Sequence, residues 1–231
     1  MSTMFEEGDQ GRQRDGDAVR QYYIAVDRAQ FKMGTLVELL AVLGRRDGLP
    51  LVICCSSRDS LDAVCATVAG SGQFFVSILH SDLEESERAT SLETFRLGMS
   101  EWNYFNVERS SVEQPEADLR PGKSQVLVMT DACLPSHALG ETPLPARIMI
   151  NFDIPSKKES YSRRMAACLG SPLAVPSTGS VNNSGGGPSG FIGGKMVINM
   201  VVGGEVSALR SLEESSGIVI DEMPINISEL V

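Results

Sequence analysis

The sequence contains no Cys-x-x-Cys pair and only two histidines in 231 residues, so the spacing of a standard zinc site is excluded although five cysteines are present. An odd set of thiols (Cys54, Cys55, Cys65, Cys133, Cys168) fits a reducing compartment better than a disulfide framework. Long apolar runs are also missing, because charges interrupt every one far short of a membrane span. The opening MSTMFEEGDQGRQRDGDAVR has no apolar stretch behind a basic flank and no Arg-rich, acid-poor bias. It is expected to be a solvated tail over residues 1–18 rather than a signal or transit peptide. The last shortage is of positive charge. Thirty acidic side chains face twenty basic ones, for a net charge of −10. That balance disfavours a dedicated nucleic-acid binder, which needs clustered cations to neutralise phosphates. Sequons at Asn182 and Asn226 carry no weight without a secretion signal. The expectation is an acidic intracellular protein, cytoplasmic with the nucleus as the alternative.

What is present has an α/β rhythm. The apolar share of 42% is ordinary for a packed core. Gln21–Val26 reads as a short strand, and Leu36, Leu39, Leu40 and Leu43 then follow the i, i+3, i+4, i+7 spacing of one buried helix face. Leu49–Cys55 is a continuous apolar run between Gly48 and a Ser-rich stop, the pattern of a strand buried on both faces. Leu61, Val64, Cys65 and Val68 repeat the helical spacing up to Gly70. Phe74–Leu79 predicts a third strand, and Glu84–Leu97 a charged helix with Ala89, Leu92 and Phe95 inward. Further strands are predicted at Ser124–Thr130, Arg147–Phe152 and Lys195–Val202, and helices at Lys158–Cys168 and Glu205–Glu214. Alternation of this kind favours a single domain, about 19–231, with a doubly wound, mainly parallel sheet and helices on both faces. Two stretches break the rhythm. Residues 103–122 are polar and acid-biased, and 171–194 are rich in Gly, Ser and Pro. Both are expected to be flexible insertions.

Ala117–Ser124 (ADLRPGKS) superficially resembles a nucleotide-binding P-loop. A phosphate cradle needs a strand, a glycine-rich loop and then a helix N-terminus. Here a strand follows the Lys-Ser, and Arg120 stands where close backbone approach favours glycine, so a loop entering a strand is the better reading. The Gly185–Gly194 run fails for the same reason.

The order of the remaining pieces carries more. QYYIAVDRAQFKMGTLVELL, LVICCSSRDSLDAV, ILHSDLEESERATSLETFRLG, VLVMTD, INFDIPSKKESYSRRM and the closing IDEMPINISELV resemble the second, C-terminal RecA-like domain of DEAD-box RNA helicases, of the translation initiation factor 4A branch. The likeness covers about Val19 to Val231 apart from the two insertions.

Departures from the family pattern decide what the resemblance implies. The family's first domain carries the P-loop, the Asp-Glu-Ala-Asp metal site and the adenine-reading segment, and no such sequence precedes Gln21. The second domain normally offers His-Arg-x-Gly-Arg-x-Gly-Arg, whose later two arginines reach the transferred phosphate. The aligned residues run Arg163 to Gly170, placing Ala167 and Gly170 at the two arginine-finger positions. A finger arginine is worth roughly 10³–10⁵ in rate in GTPases. Arg164 survives in place, a position as compatible with a structural residue as with a catalytic one. In the Thr-Asp-x-x-Ala-Arg-Gly-Leu-Asp motif only Thr130 and Asp131 stand, with Pro135, Ser136 and Ala138 replacing the arginine, glycine and nucleotide-facing aspartate. No catalytic residue, metal ligand, ATP site or cofactor is therefore expected.

RNA contact is implied weakly. The phosphate-binding turn Gly-Asp-x-x-Gln-x-x-Arg reads Ser81, Asp82, Glu85 and Arg88 here, with Glu85 adding a charge that phosphate repels. Asp82 and Arg88 fit a phosphate contact or a structural pair at a helix start. Arg58, at a helix N-terminus, and Thr130, through its hydroxyl, complete the RNA candidates. His80, His137 and Cys133 form no recognisable set of nucleophile, base and orienter, and Cys54 and Cys55 read as core. The resemblance implies a catalytically inactive interaction module whose partner is a helical scaffold of the translation initiation or RNA-processing machinery, with RNA bound weakly. The alternative is a helicase half-enzyme that joins a separate ATP-binding domain in trans. A decaying duplicate is the bland reading.

Overall fold

A computed structural model describes residues 19–45, 48–111, 123–136, 140–144, 146–170 and 195–224, with side chains omitted over 105–111. Seven strands form one sheet: β1 (Arg20–Val26), β2 (Leu51–Cys55), β3 (Phe74–Leu79), β4 (Ser124–Thr130), β5 (Ile148–Asn151), β6 (Met196–Val202) and β7 (Asp221–Glu222). Their spatial order is β3-β4-β2-β5-β6-β1-β7, and every pairing is parallel. This is the single α/β domain with a doubly wound, parallel sheet expected from the alternation. The two-residue β7 was not legible in the sequence, since Asp221 and Glu222 are exposed and carry no apolar signal.

Strand side chains alternate between two cores. Leu51, Ile53 and Cys55 of β2 point to a cluster built by α1 (Lys32–Leu43) and α2 (Arg58–Gly70). Val52 and Cys54 point the other way, to α3 (Glu85–Ser111), α4 (Lys158–Leu169) and α5 (Val206–Ser216). Burial on both faces explains why β2, β4, β5 and β6 read as continuous apolar runs.

α3 corrects the sequence reading. It does not stop at Leu97 but continues through Ser111, so the first nine residues of the expected 103–122 insertion are helical. The buried stripe Leu92, Phe95, Met99 and Trp102 carries the helix past Gly98. Gly98 is there for space, not as a terminator. A Cβ at this position would lie 2.5 Å from Gln125 Cγ of β4. Residues 112–122, the 171–194 insertion, the 1–18 tail and both sequons lie outside the described residues. Of the P-loop look-alike, Lys123 and Ser124 are described, and Ser124 opens β4 as expected.

Candidate functional site at the strand C-termini

In open parallel sheets, ligands are met at the carboxyl ends of the strands. Four cations gather at that edge, and each is bound by a carboxylate.

The most buried is Arg164, on α4 and wholly inaccessible to solvent. Its Nε and Nη2 donate to the two Asp131 oxygens at 2.6 and 2.8 Å, just past β4. Nη1 donates to Asn151 Oδ1 at 2.8 Å and to the Asp153 carbonyl at 2.6 Å, and Nη2 also reaches Ser56 Oγ at 3.2 Å. These contacts use all the N–H donors a guanidinium has. Burial alone would lower its pKa, but the Asp131 hydrogen bonds and the negative charge around it, that of Asp131 included, together hold it raised. Arg164 therefore joins the ends of β2, β4 and β5 to α4 and leaves no donor for an outside phosphate.

The polar network continues inward. Asn151 Nδ2 donates to Asn199 Oδ1 at 2.8 Å, and Asn199 Nδ2 reaches the Tyr22 carbonyl and the Tyr161 hydroxyl. Tyr161 donates to Gln21 Oε1 at 2.6 Å, and burial pushes its phenol pKa up. The chain from Asp131 to Gln21 thus crosses β5 and β6 to reach β1. Asn151 and Asn199 were missed in the sequence; a lone polar residue inside each apolar run (RIMINF, VINMVV) was the available signal.

The RNA candidates are distributed as follows. Arg58 opens α2, where Ser57 caps the helix by accepting from the Ser60 N–H. Its guanidinium turns to Asp62 (2.8 Å) and Asp82 (2.8 Å) rather than outward. Arg88 is clamped by both Glu141 oxygens and donates to the Cys133 carbonyl. Glu141 also accepts from the Ser136 N–H at 3.0 Å. Burial alone would raise its pKa, but that N–H and the Arg88 guanidinium together hold the carboxyl below the ordinary glutamate value. Asp82 and Arg88 therefore do not pair with each other, contrary to one of the two sequence readings; each has a different partner. Thr130 ends β4 in register with Cys55 and is half-buried. The fourth cation, Lys32, sits over the Phe152 ring and pairs with Asp153 (3.4 Å) and Glu205 (3.7 Å). Glu141 and Glu205 had no motif to mark them, and Asp153 lay inside INFDIPSKKESYSRRM without being singled out.

His80 stands beside the site as a turn element, its Nδ1 accepting from the Asp82 N–H. His137 and Ala138 lie outside the described residues. Cys133 is buried. Among the described residues, no three His, Cys, Asp or Glu side chains are placed to hold a metal ion.

No family model matches the chain. It is 27% identical over 216 residues to the ATP-dependent RNA helicase eIF4A of Mycosarcoma maydis, covering 93% of this chain and 40% of that one. The ATP-dependent RNA helicase fal1 of Schizosaccharomyces pombe is 28% identical over 216 residues, with 93% and 41% covered. The chain spans about two-fifths of the length of these curated relatives. In structure it superposes on an S. cerevisiae Dbp5 C-terminal domain bound to Gle1, with TM-score 0.58, 18% identity and 90% of each chain covered. E. coli SrmB bound to RraA gives TM-score 0.59 and 16% identity, covering 91% of this chain and 93% of that one. The chain resembles the C-terminal RecA-like domain of DEAD-box helicases.

The two residues that the resemblance aligns with the family's finger arginines, Ala167 and Gly170, have structural surroundings here. Ala167 is buried, and its carbonyl accepts from the Leu144 N–H at 2.7 Å. Gly170 caps α4 in the left-handed region at φ 64°, its N–H bonded to the Ala166 carbonyl. Any side chain at Gly170 would be strained. Arg164, which the resemblance aligns with a family arginine, is taken up by the Asp131 network.

Proposed function

We propose that this chain is a catalytically inactive helicase-like interaction module that acts in translation initiation or RNA metabolism by binding a helical scaffold protein, with only weak RNA contact. The observation that carries this is the state of the strand-end cations. Arg58, Arg88, Arg164 and Lys32 are each bound by carboxylates of the same chain. An incoming phosphate would have to displace one of those carboxylates and then face it. Alanine and glycine at the finger positions remove the charge that would meet a transferring phosphoryl group. Helices flank both faces of the sheet and offer a surface on which a protein partner could dock. Helicase-type domains of this shape occur bound to protein partners, Gle1 on Dbp5 and RraA on SrmB.

The test is a pull-down of the purified chain with the helical-repeat middle domain of an initiation scaffold, and with an RNA-processing counterpart. Binding at tens of micromolar or tighter supports the proposal; no binding to either overturns the partner class. Affinity purification from native cells, with bound proteins and RNA identified, then names the scaffold.

A further inference from the structure

Two thiols lie against each other in the core, and nothing in the proposed function uses them. Cys54 of β2 and Cys168 in the last turn of α4 place their sulfurs 3.9 Å apart. Both face the α3–α5 core, whereas Cys55 and Cys65 face the opposite one. Their surroundings are unusual for core thiols, because Arg164 stands one turn before Cys168 and is anchored to Ser56, two residues past Cys54. The Cys168 hydrogen bond and the Arg164 charge hold the Cys54 thiol below its ordinary pKa against the effect of burial. Cys168 is pushed well up by the same pairing. By contrast, burial raises Cys65 to about 11 and also raises Cys55, neither with a thiol partner at hydrogen-bond distance among the described residues.

We propose that Cys54 and Cys168 form a modification site, an intrachain disulfide closed by a peroxide oxidant. In the first step the Cys54 thiolate attacks a peroxide oxygen. The O–O bond breaks, leaving a sulfenic acid on Cys54 and releasing water once the leaving hydroxide is protonated. Cys168 sulfur then attacks the Cys54 sulfur. The S–S bond forms, the S–O bond breaks, and the departing hydroxide takes the Cys168 proton as a second water. Two thiols and one hydrogen peroxide become a disulfide and two waters. The sulfurs need to approach by only about 2 Å to reach bonding distance.

Access is the one obstacle, since both thiols are buried. The backbone at the end of α4 is held to its neighbours by three hydrogen bonds, Leu144 N–H to Ala167 O, Ala146 N–H to Cys168 O and Lys195 Nζ to the Leu169 carbonyl. Breaking them locally costs less than global unfolding. The new bond would fix β2 to α4 on either side of the Arg164 network.

The experiment treats the reduced full-length chain with hydrogen peroxide and reads intact mass and non-reducing peptide maps. The expected product has lost two hydrogens, carries a linked Cys54–Cys168 peptide, and returns to the starting mass with dithiothreitol. Three of the five thiols remain free to alkylate. Cys168→Ser gives only an oxygen adduct on Cys54, while Cys133→Ser still forms the link. The proposal is overturned by unlinked oxygen adducts as the main wild-type product, or by a linkage through any other cysteine. It is equally overturned if both thiols stay unreacted at a peroxide level that oxidises the urea-unfolded chain.

Discussion

Arg164 and Asp131 form a two-pronged ion pair, 2.6 and 2.8 Å long, in which the guanidinium is completely buried and the carboxylate is not. The pair holds α4 against the end of β4, and its remaining donors fix β2 and β5. Removing one partner strands a buried charge. Asp131→Asn and Arg164→Ala are expected to lower unfolding free energy by about 3–5 kcal/mol each, read by urea denaturation. Their double mutant should lose clearly less than the sum, because the two changes remove one interaction. Additive losses would show that the pair is not coupled.

Placing arginines at the two positions that the resemblance aligns with the fingers is expected to harm the domain. Gly170→Arg puts a side chain on a left-handed residue and should cost about 1–2 kcal/mol. Ala167→Arg forces a charge into a buried position without a carboxylate partner and should cost more. Thermal melts of both variants check the order; a stabilised Ala167→Arg would mean that this position faces solvent.

Two helical glycines, Gly34 and Gly98, should respond in opposite directions. A Cβ at Gly34 meets nothing within 4 Å, so Gly34→Ala should stabilise by about 0.5–1 kcal/mol through helix propensity. Gly98→Ala gains the same propensity but collides with Gln125, and overpacking of about 1–3 kcal/mol should win. Equal effects at the two sites would remove the packing explanation for α3 running past Gly98.

The Arg88–Glu141 clamp should make stability fall in acid. Glu141 titrates below the ordinary glutamate value of 4.5 in the folded chain. Its contribution is fully present above that value and is lost as pH falls through the lower folded pKa. The Glu141→Gln variant should be less stable than wild type at neutral pH and should show a shallower decline below about pH 4.5. Parallel stability–pH curves for the two proteins would contradict the clamp.

Freeing Arg58 tests whether the strand-end carboxylates suppress RNA binding. The double variant Asp62→Asn, Asp82→Asn leaves the Arg58 guanidinium without its two carboxylates. It should bind single-stranded RNA more tightly than wild type, with a log–log salt slope steeper by about one unit. Fluorescence anisotropy across a salt series reads both, and an unchanged slope would place RNA contact elsewhere.

Much of the fold was legible because burial on both faces writes itself as apolar runs. Leu51–Cys55 lies within the expected Leu49–Cys55 run, and Ser124–Thr130 falls where the pattern placed it. The helix expected over Glu84–Leu97 runs on past Gly98, a residue that answers to Gln125 on a strand distant in sequence. At the site, the candidate positions could be named from the order of motifs, but their partners could not. Arg58 meets Asp82 across 24 residues and Arg88 meets Glu141 across 53, and such pairings exist only once the strands are ordered. Arg164 shows the same limit: its place in a motif was visible, and its role as the tie between strand ends was not.

The most direct test of the central claim is ATP turnover in trans. The purified chain is mixed with an isolated ATP-binding first domain of an initiation factor 4A-type helicase, RNA and Mg²⁺, and phosphate release is followed. With Ala167 and Gly170 at the finger positions and Arg164 bound within the core, turnover should stay at the level of the first domain alone. RNA-stimulated turnover that rises with the concentration of this chain would contradict the account.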